Sequence, residues 1–138
     1  QYRSLSRDRD EIRLVVVHSG EGQHPVYYHI ITAELDSVLQ YIAVSYTWAT
    51  EDGDCSKSRE IYVKMESTVG QVTRRVQVTA NCENTLRQLR DKCLERIMWI
   101  DSVCIDQSDI YERNHQVGLM EKIYQNAVHV EVCIQYLR

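Results

Sequence analysis

Apolar positions fall into two regimes along the chain. Up to residue 78 they come as short runs rich in β-branched and aromatic residues; beyond it, helical spacing enters. Residues 1–10 are polar and charged and read as a flexible lead-in. Ile12 to His18 is a valine-rich apolar run, and so a strand. Gly20-Glu21-Gly22 breaks it. Val26 to Ala33 reads as a second strand, a hairpin partner for the first. Tyr41 to Trp48 is a third strand and the expected core of a sheet. Residues 49–59 are small, acidic and polar, and read as a loop. Glu60 to Lys64 and Arg75 to Val78 read as short strands flanking a turn around Gly70.

Cys82, Leu86, Leu89 and Cys93 then recur at one face of a helix, with Asn81 as its expected N-cap. Ile97 to Ile105 is the most apolar stretch and reads as a central strand interrupted by one acid, Asp101. A polar loop, Asp106 to Asp109, leads into a second helix near Ile110. Val117, Met120, Ile123, Tyr124 and Ala127 form its expected buried stripe. Val128 to Ile134 closes the pattern as a last strand. The second half thus runs strand, helix, strand, helix, strand. That order favours a parallel sheet with crossover helices, joined to an N-terminal antiparallel strand pair. The fold class is α/β.

Composition narrows the function classes. Of 138 residues, 43% are hydrophobic and 26% charged, as in a globular domain. A formal net charge of −4 argues against nucleic acid as a partner. No apolar run approaches the roughly 20 residues of a membrane span. No signal peptide is visible, so the expected location is cytoplasmic. The chain starts with glutamine, as expected of a fragment, an excised domain or a processed product. Its five cysteines include no CxxC pair. That pattern fits a reducing compartment with neither disulfides nor a metal site.

Three segments resemble the fungal heterokaryon-incompatibility (HET) domain family. Tyr41-Ile42-Ala43-Val44-Ser45-Tyr46-Thr47-Trp48 is similar to its Y-x-A-[LV]-S-Y-x-W-G block. Val78-Thr79-Ala80-Asn81, with Leu86, Leu89 and Arg90, is similar to its V-T-x-N…L-R-x-L-R block. Trp99-Ile100-Asp101-Ser102-Val103-Cys104-Ile105-Asp106-Gln107 carries the third block. It continues through Asp109, Glu112-Arg113, Gln116-Val117, Met120 and Ile123-Tyr124. Ala49 departs from the family's glycine, and Asp106 from its commoner asparagine. The resemblance implies that residues 11–138 are the N-terminal part of an incomplete HET domain. It implies a role in fungal non-self recognition and programmed cell death, with protein partners reached by self-association or through an incompatibility partner. The family is in turn distantly similar to TIR domains, which implies a TIR-like or flavodoxin-like core. NAD then becomes a possible substrate of the parent domain, with the catalytic glutamate beyond this chain; no cofactor is required. A degenerate, non-catalytic interaction module is the remaining alternative.

The candidate ligand- or partner-binding residues are Ser45, Tyr46, Trp48, Asp101, Asp106, Gln107, Glu112 and Arg113. Asp101 is either a ligand-facing acid at a strand's carboxyl end, where open α/β sheets place their crevices, or a buried acid held by backbone N–H groups or by Arg113. Asp106 and Gln107 occupy the loop after the central strand. Glu112 completes a capping box with Asp109 or contacts ligand. Ser45 and Tyr46 end the third strand, where no G-x-S-x-G elbow surrounds the serine. Trp48 and Trp99 read as core anchors or stacking surfaces. Gly20-Glu21-Gly22 is too short for a phosphate loop.

Overall fold

The computed structural model describes residues 4–6, 8–37, 39–46 and 56–133. Trp48, Ala49 and most of the loop expected over 49–59 lie outside the described residues. The chain forms β1 (Glu11–Val17), β2 (Tyr27–Glu34), β3 (Ile42–Tyr46), β4 (Arg59–Ser67) and β5 (Gly70–Val78). Then come α1 (Ala80–Leu89), β6 (Arg96–Ile100), α2 (Asp101–Cys104), α3 (Ile110–Asn126) and β7 (His129–Cys133). The strands make one seven-stranded sheet in the order β5-β4-β2-β1-β6-β3-β7. The fold is mixed α/β. Two compact units divide the chain: residues 1–15, 31–45 and 97–131, and residues 16–30, 46–96 and 132–138. Among the described residues no helix is long and apolar enough to cross a membrane.

In the first unit β3 and β6 run parallel, with Ile42 opposite Met98, Ala43 opposite Trp99 and Val44 opposite Ile100. Ala43, Val44 and Met98 to Ile100 are buried, as parallel strands covered on both faces must be. The strand expected over Ile97–Ile105 stops at Ile100. Residues Asp101–Cys104 coil into one helical turn, and the Ile100 N–H points to Cys104 Sγ at 3.4 Å. Val103, Cys104 and Ile105 are still buried. An unbroken apolar run cannot tell a buried strand from a buried helical turn.

Helix α3 starts where the sequence indicated. Asp109 is its N-cap, its Oδ1 accepting the N–H groups of Tyr111 and Glu112, both at 3.1 Å. Its buried stripe is shifted from the expected one. Glu112, Gln116, Leu119 and Ile123 point inward, whereas Val117 is 54% exposed. Met120, Tyr124 and Ala127 are half-buried. Two of the inward residues are polar, and each has found a partner. Gln116 Nε2 donates to the Glu11 carbonyl at 3.1 Å, and Glu112 pairs with Arg13. The helix's far end is tied by Asn126 Nδ2 to the Leu35 carbonyl at 3.0 Å.

Tyr41 supplies a second tie: its hydroxyl donates to the Ile123 carbonyl at 2.5 Å. Burial pushes its pKa up from 10.0 to about 12. A proton held more tightly in the folded state stabilises the fold below the unfolded pKa and stops doing so as pH rises through the folded one. Stability is therefore expected to decline as pH climbs from about 10 towards 12. Tyr41→Phe should be less stable near neutrality and lose part of that alkaline slope. Urea melts across this range, read with phenolate absorbance, check it; an identical slope in wild type and variant would count against the assignment.

In the second unit β4 and β5 form an antiparallel hairpin, in register from Arg59↔Val78 to Ser67↔Gly70. Gly70 has φ +109, a conformation that a side chain resists. Both strands are longer than the short ones expected. Apart from Met65, Gly70 and Val72 the added residues are polar, and β5 is mostly exposed on both faces. Backbone pairing leaves no apolar signature in such an edge strand. β2 runs parallel to β4, with Tyr27 opposite Tyr62.

Helix α1 is capped by Thr79, whose Oγ1 accepts the Cys82 N–H at 3.2 Å. The expected cap, Asn81, is buried inside the helix; both residue types are good caps, so neighbouring candidates compete. Cys82, Leu86 and Leu89 are buried as expected, but Cys93 is exposed. The helix has ended by then, and Asp91 Oδ2 accepts the N–H groups of Cys93 and Leu94 at 2.8 and 3.0 Å. Such a local turn competes with helix continuation. Arg90 Nη2 donates to the Gly22 and His24 carbonyls at 3.2 and 2.8 Å, and Nη1 to Pro25 at 3.0 Å. The Gly20-Glu21-Gly22 segment is thus an arginine-held loop. A Cβ on Gly20 would meet Arg90 Nη1 at 3.0 Å.

Candidate functional site

The candidate residues of the first unit separate into a rim cluster and a scaffold cluster. The parallel register ends at Val44 opposite Ile100. The next residues, Ser45 and Asp101, therefore leave the carboxyl ends of adjacent parallel strands, where open α/β sheets place ligand crevices. Tyr124 from α3 joins them. It shares a hydrogen bond with the Ser45 side chain and feels the Asp101 carboxylate. Burial and then that carboxylate push the phenol pKa up, while the Ser45 bond pulls it the other way. Trp99 packs edge-on against Tyr124, with ring centroids 5.7 Å apart and planes at 78°. Ser45 and Asp101 are half-buried. The group offers a carboxylate, two hydroxyls and an aromatic edge, a set able to hydrogen-bond a polar ligand or a partner's backbone.

Asp101 departs from its expected place within a strand. As the first residue of α2 it sits at the positive end of a helical turn. Its backbone carbonyl accepts Gln107 Nε2 at 2.9 Å. Gln107 thereby fastens the following loop to the turn. Arg113, proposed as its partner, is exposed.

Glu112 belongs to the scaffold. Its carboxylate grips Arg13 through two hydrogen bonds, Nη1 to Oε2 at 2.5 Å and Nη2 to Oε1 at 2.8 Å. Oε2 also accepts the Asp106 N–H at 2.7 Å. The expected reach back to the cap residue is thus replaced by a reach across to β1 and to the loop. Arg13 is 1% exposed and also donates to the Cys104 carbonyl at 3.1 Å. One guanidinium–carboxylate pair thereby fixes β1, α2, the 105–109 loop and the start of α3. Asp106 Oδ1 accepts from Ser108 N and Oγ at 3.1 and 2.6 Å, which shapes the same loop.

Arg13 and Tyr124 had escaped the candidate set. Arg13 was legible in principle: a lone arginine in a run of apolar strand residues requires a buried counter-charge. Tyr124 has a core-like spacing and a place in the third family block, and neither marks it as a neighbour of Ser45 and Asp101. A shallow depression lined by Thr32, Ala33, Ser37, Leu39, Gln40 and Ile97 lies at the opposite, amino end of the β3–β6 pair and includes none of the candidates. In the second unit Tyr46 is half-buried.

The profile of the heterokaryon incompatibility protein (HET) family matches residues 41–136. The chain belongs to the HET family. It is 35% identical over 135 residues to Heterokaryon incompatibility protein 6, OR allele, of Neurospora crassa, covering 94% of this chain and 19% of that protein. It therefore spans about a fifth of the curated relative it matches. No solved structure matches. Every residue of the rim cluster lies inside the HET match. The buried arginine that anchors Glu112 lies outside it, on β1. The family segment therefore takes part of its core from residues ahead of its own boundary.

Proposed function

We propose that this HET chain acts within a longer protein in fungal heterokaryon incompatibility, in non-self recognition and the cell-death signalling that follows. The observation that carries this is the family match together with its relationship to a named incompatibility protein. In this reading the protein works in the cytoplasm through protein partners. The Ser45–Asp101–Tyr124 rim is the contact point for ligand or partner. A TIR-like, flavodoxin-like core is supported by the parallel β3–β6 pair and by the acid at its carboxyl edge. NAD is the proposed small-molecule ligand of that rim in the longer protein.

The test is expression of the parent protein in a fungal host, wild type against Asp101→Asn and Ser45→Ala. Wild type is expected to arrest growth, and both variants to lose most of that effect at equal protein level. Killing undiminished by either substitution would sink the assignment of the rim. Killing with intracellular NAD undepleted would leave the signalling role standing and remove the NAD proposal.

A further inference from the structure

In the second unit three side chains converge from three elements. His18 directly follows β1, His29 lies within β2, and Glu95 directly precedes β6. His18 Nε2 and His29 Nδ1 are 2.8 Å apart. His18 Nε2 and Glu95 Oε2 are 4.0 Å apart. One donor atom from each of the three residues lies within 4.8 Å of the others. We propose that His18, His29 and Glu95 form a divalent transition-metal site of the zinc class, with a fourth position open to water or to a partner's side chain.

The chemistry and the dimensions agree. Two imidazoles and a carboxylate are a donor set that zinc accepts, and three protein ligands with one open position is a known zinc arrangement. Tetrahedral bonds of about 2.0–2.1 Å put neighbouring donor atoms roughly 3.3 Å apart. The histidine nitrogens need to open by about 0.5 Å from their 2.8 Å separation, and the glutamate to close by about 0.7 Å on His18 and by at most about 1.5 Å on His29. Side-chain torsions alone can supply such shifts, because the Glu95 side chain is 58% exposed and His18 is 22% exposed.

Only deprotonated nitrogens bind metal. Burial, and then the neighbouring His29, hold the His18 imidazole below its ordinary pKa. Without an ion, the two facing nitrogens can share only one proton. Among the charges that act on His18, that of Lys64 opposes a cation. Its ammonium is directed over the Tyr27 ring, 4.8 Å from the centroid. A bound ion would cross-link the β1–β2 connection to the segment entering β6. The ligands are far apart in sequence, so no motif announces them.

The experiment strips the full 138-residue chain with a chelator and titrates it with Zn2+ and with Co2+. One ion per chain is expected, with the visible absorption of tetrahedral Co2+ and a rise in melting temperature on loading. His29→Gln and Glu95→Gln should each weaken binding by more than the roughly 10–100-fold typical of losing an outer-shell partner. Glu95 is exposed, so its variant keeps the apo fold and remains informative if His29→Gln does not fold. His129→Gln should bind normally; it disrupts the separate exposed His129–Glu131 pair, at 2.6 Å. No uptake by wild type, or uptake unchanged in Glu95→Gln, overturns the three-ligand site.

Discussion

Replacing Glu112 with alanine is expected to cost about 3–5 kcal/mol, the penalty for removing one partner of a buried ion pair. The carboxylate receives three hydrogen bonds, two from Arg13 and one from the Asp106 N–H. Truncation leaves the Arg13 guanidinium, 1% exposed, without its counter-charge. Against a typical total stability of about 5–15 kcal/mol, that loss removes a large share of what keeps the chain folded. Glu112→Gln should recover only part of it, because an amide cannot neutralise the guanidinium. The double variant Arg13→Met/Glu112→Leu should recover more than either single change, since two apolar groups leave no charge stranded. Urea midpoints of the three variants against wild type measure this. A Glu112→Ala midpoint close to wild type would mean that the pair carries little of the fold.

Trp99→Ala is expected to cost a further about 3–5 kcal/mol, as for other large-to-small changes in a core. Trp99 is 0% exposed on the strand that delivers Asp101, and it braces Tyr124 edge-on. Its loss should therefore lower stability and loosen the rim together. Trp99→Phe should cost less, because it keeps a ring against Tyr124. It also deletes an indole N–H that has no hydrogen-bond partner among the described residues. Denaturant melts should order the three proteins wild type, Phe, Ala. A Phe variant as damaged as the Ala variant would show that indole volume, and not ring contact, is what the site requires.

Sequence reading succeeded where one physical signal dominates. β1, β2 and β3 are valine- and tyrosine-rich runs bounded by breakers, and they form close to where that pattern places them. The Asp109 cap and the start of α3 were legible because a short acid before a helical period has few other uses. It failed where two solutions satisfy the same local pattern. Asp101 could have stood in a strand or begun a helical turn. Glu112 had two nearby N–H groups to reach for, and took Asp106 over the cap. The apolar stripe of α3 was misjudged because Glu112 and Gln116 are buried, and a hydrophobicity rule assigns both to solvent.

The order of residues alone determined the mixed α/β character, the family and the rim candidates Ser45 and Asp101, because periodicity and motif are one-dimensional properties. Only the tertiary structure decided which polar groups are partnered. Arg13 meets Glu112, Ser45 meets Tyr124, and His18 meets His29 across chain separations that no local pattern encodes. The physical reason is desolvation. A charge or amide is tolerated inside only when a complementary group arrives from elsewhere in the chain, and that arrival is a product of folding.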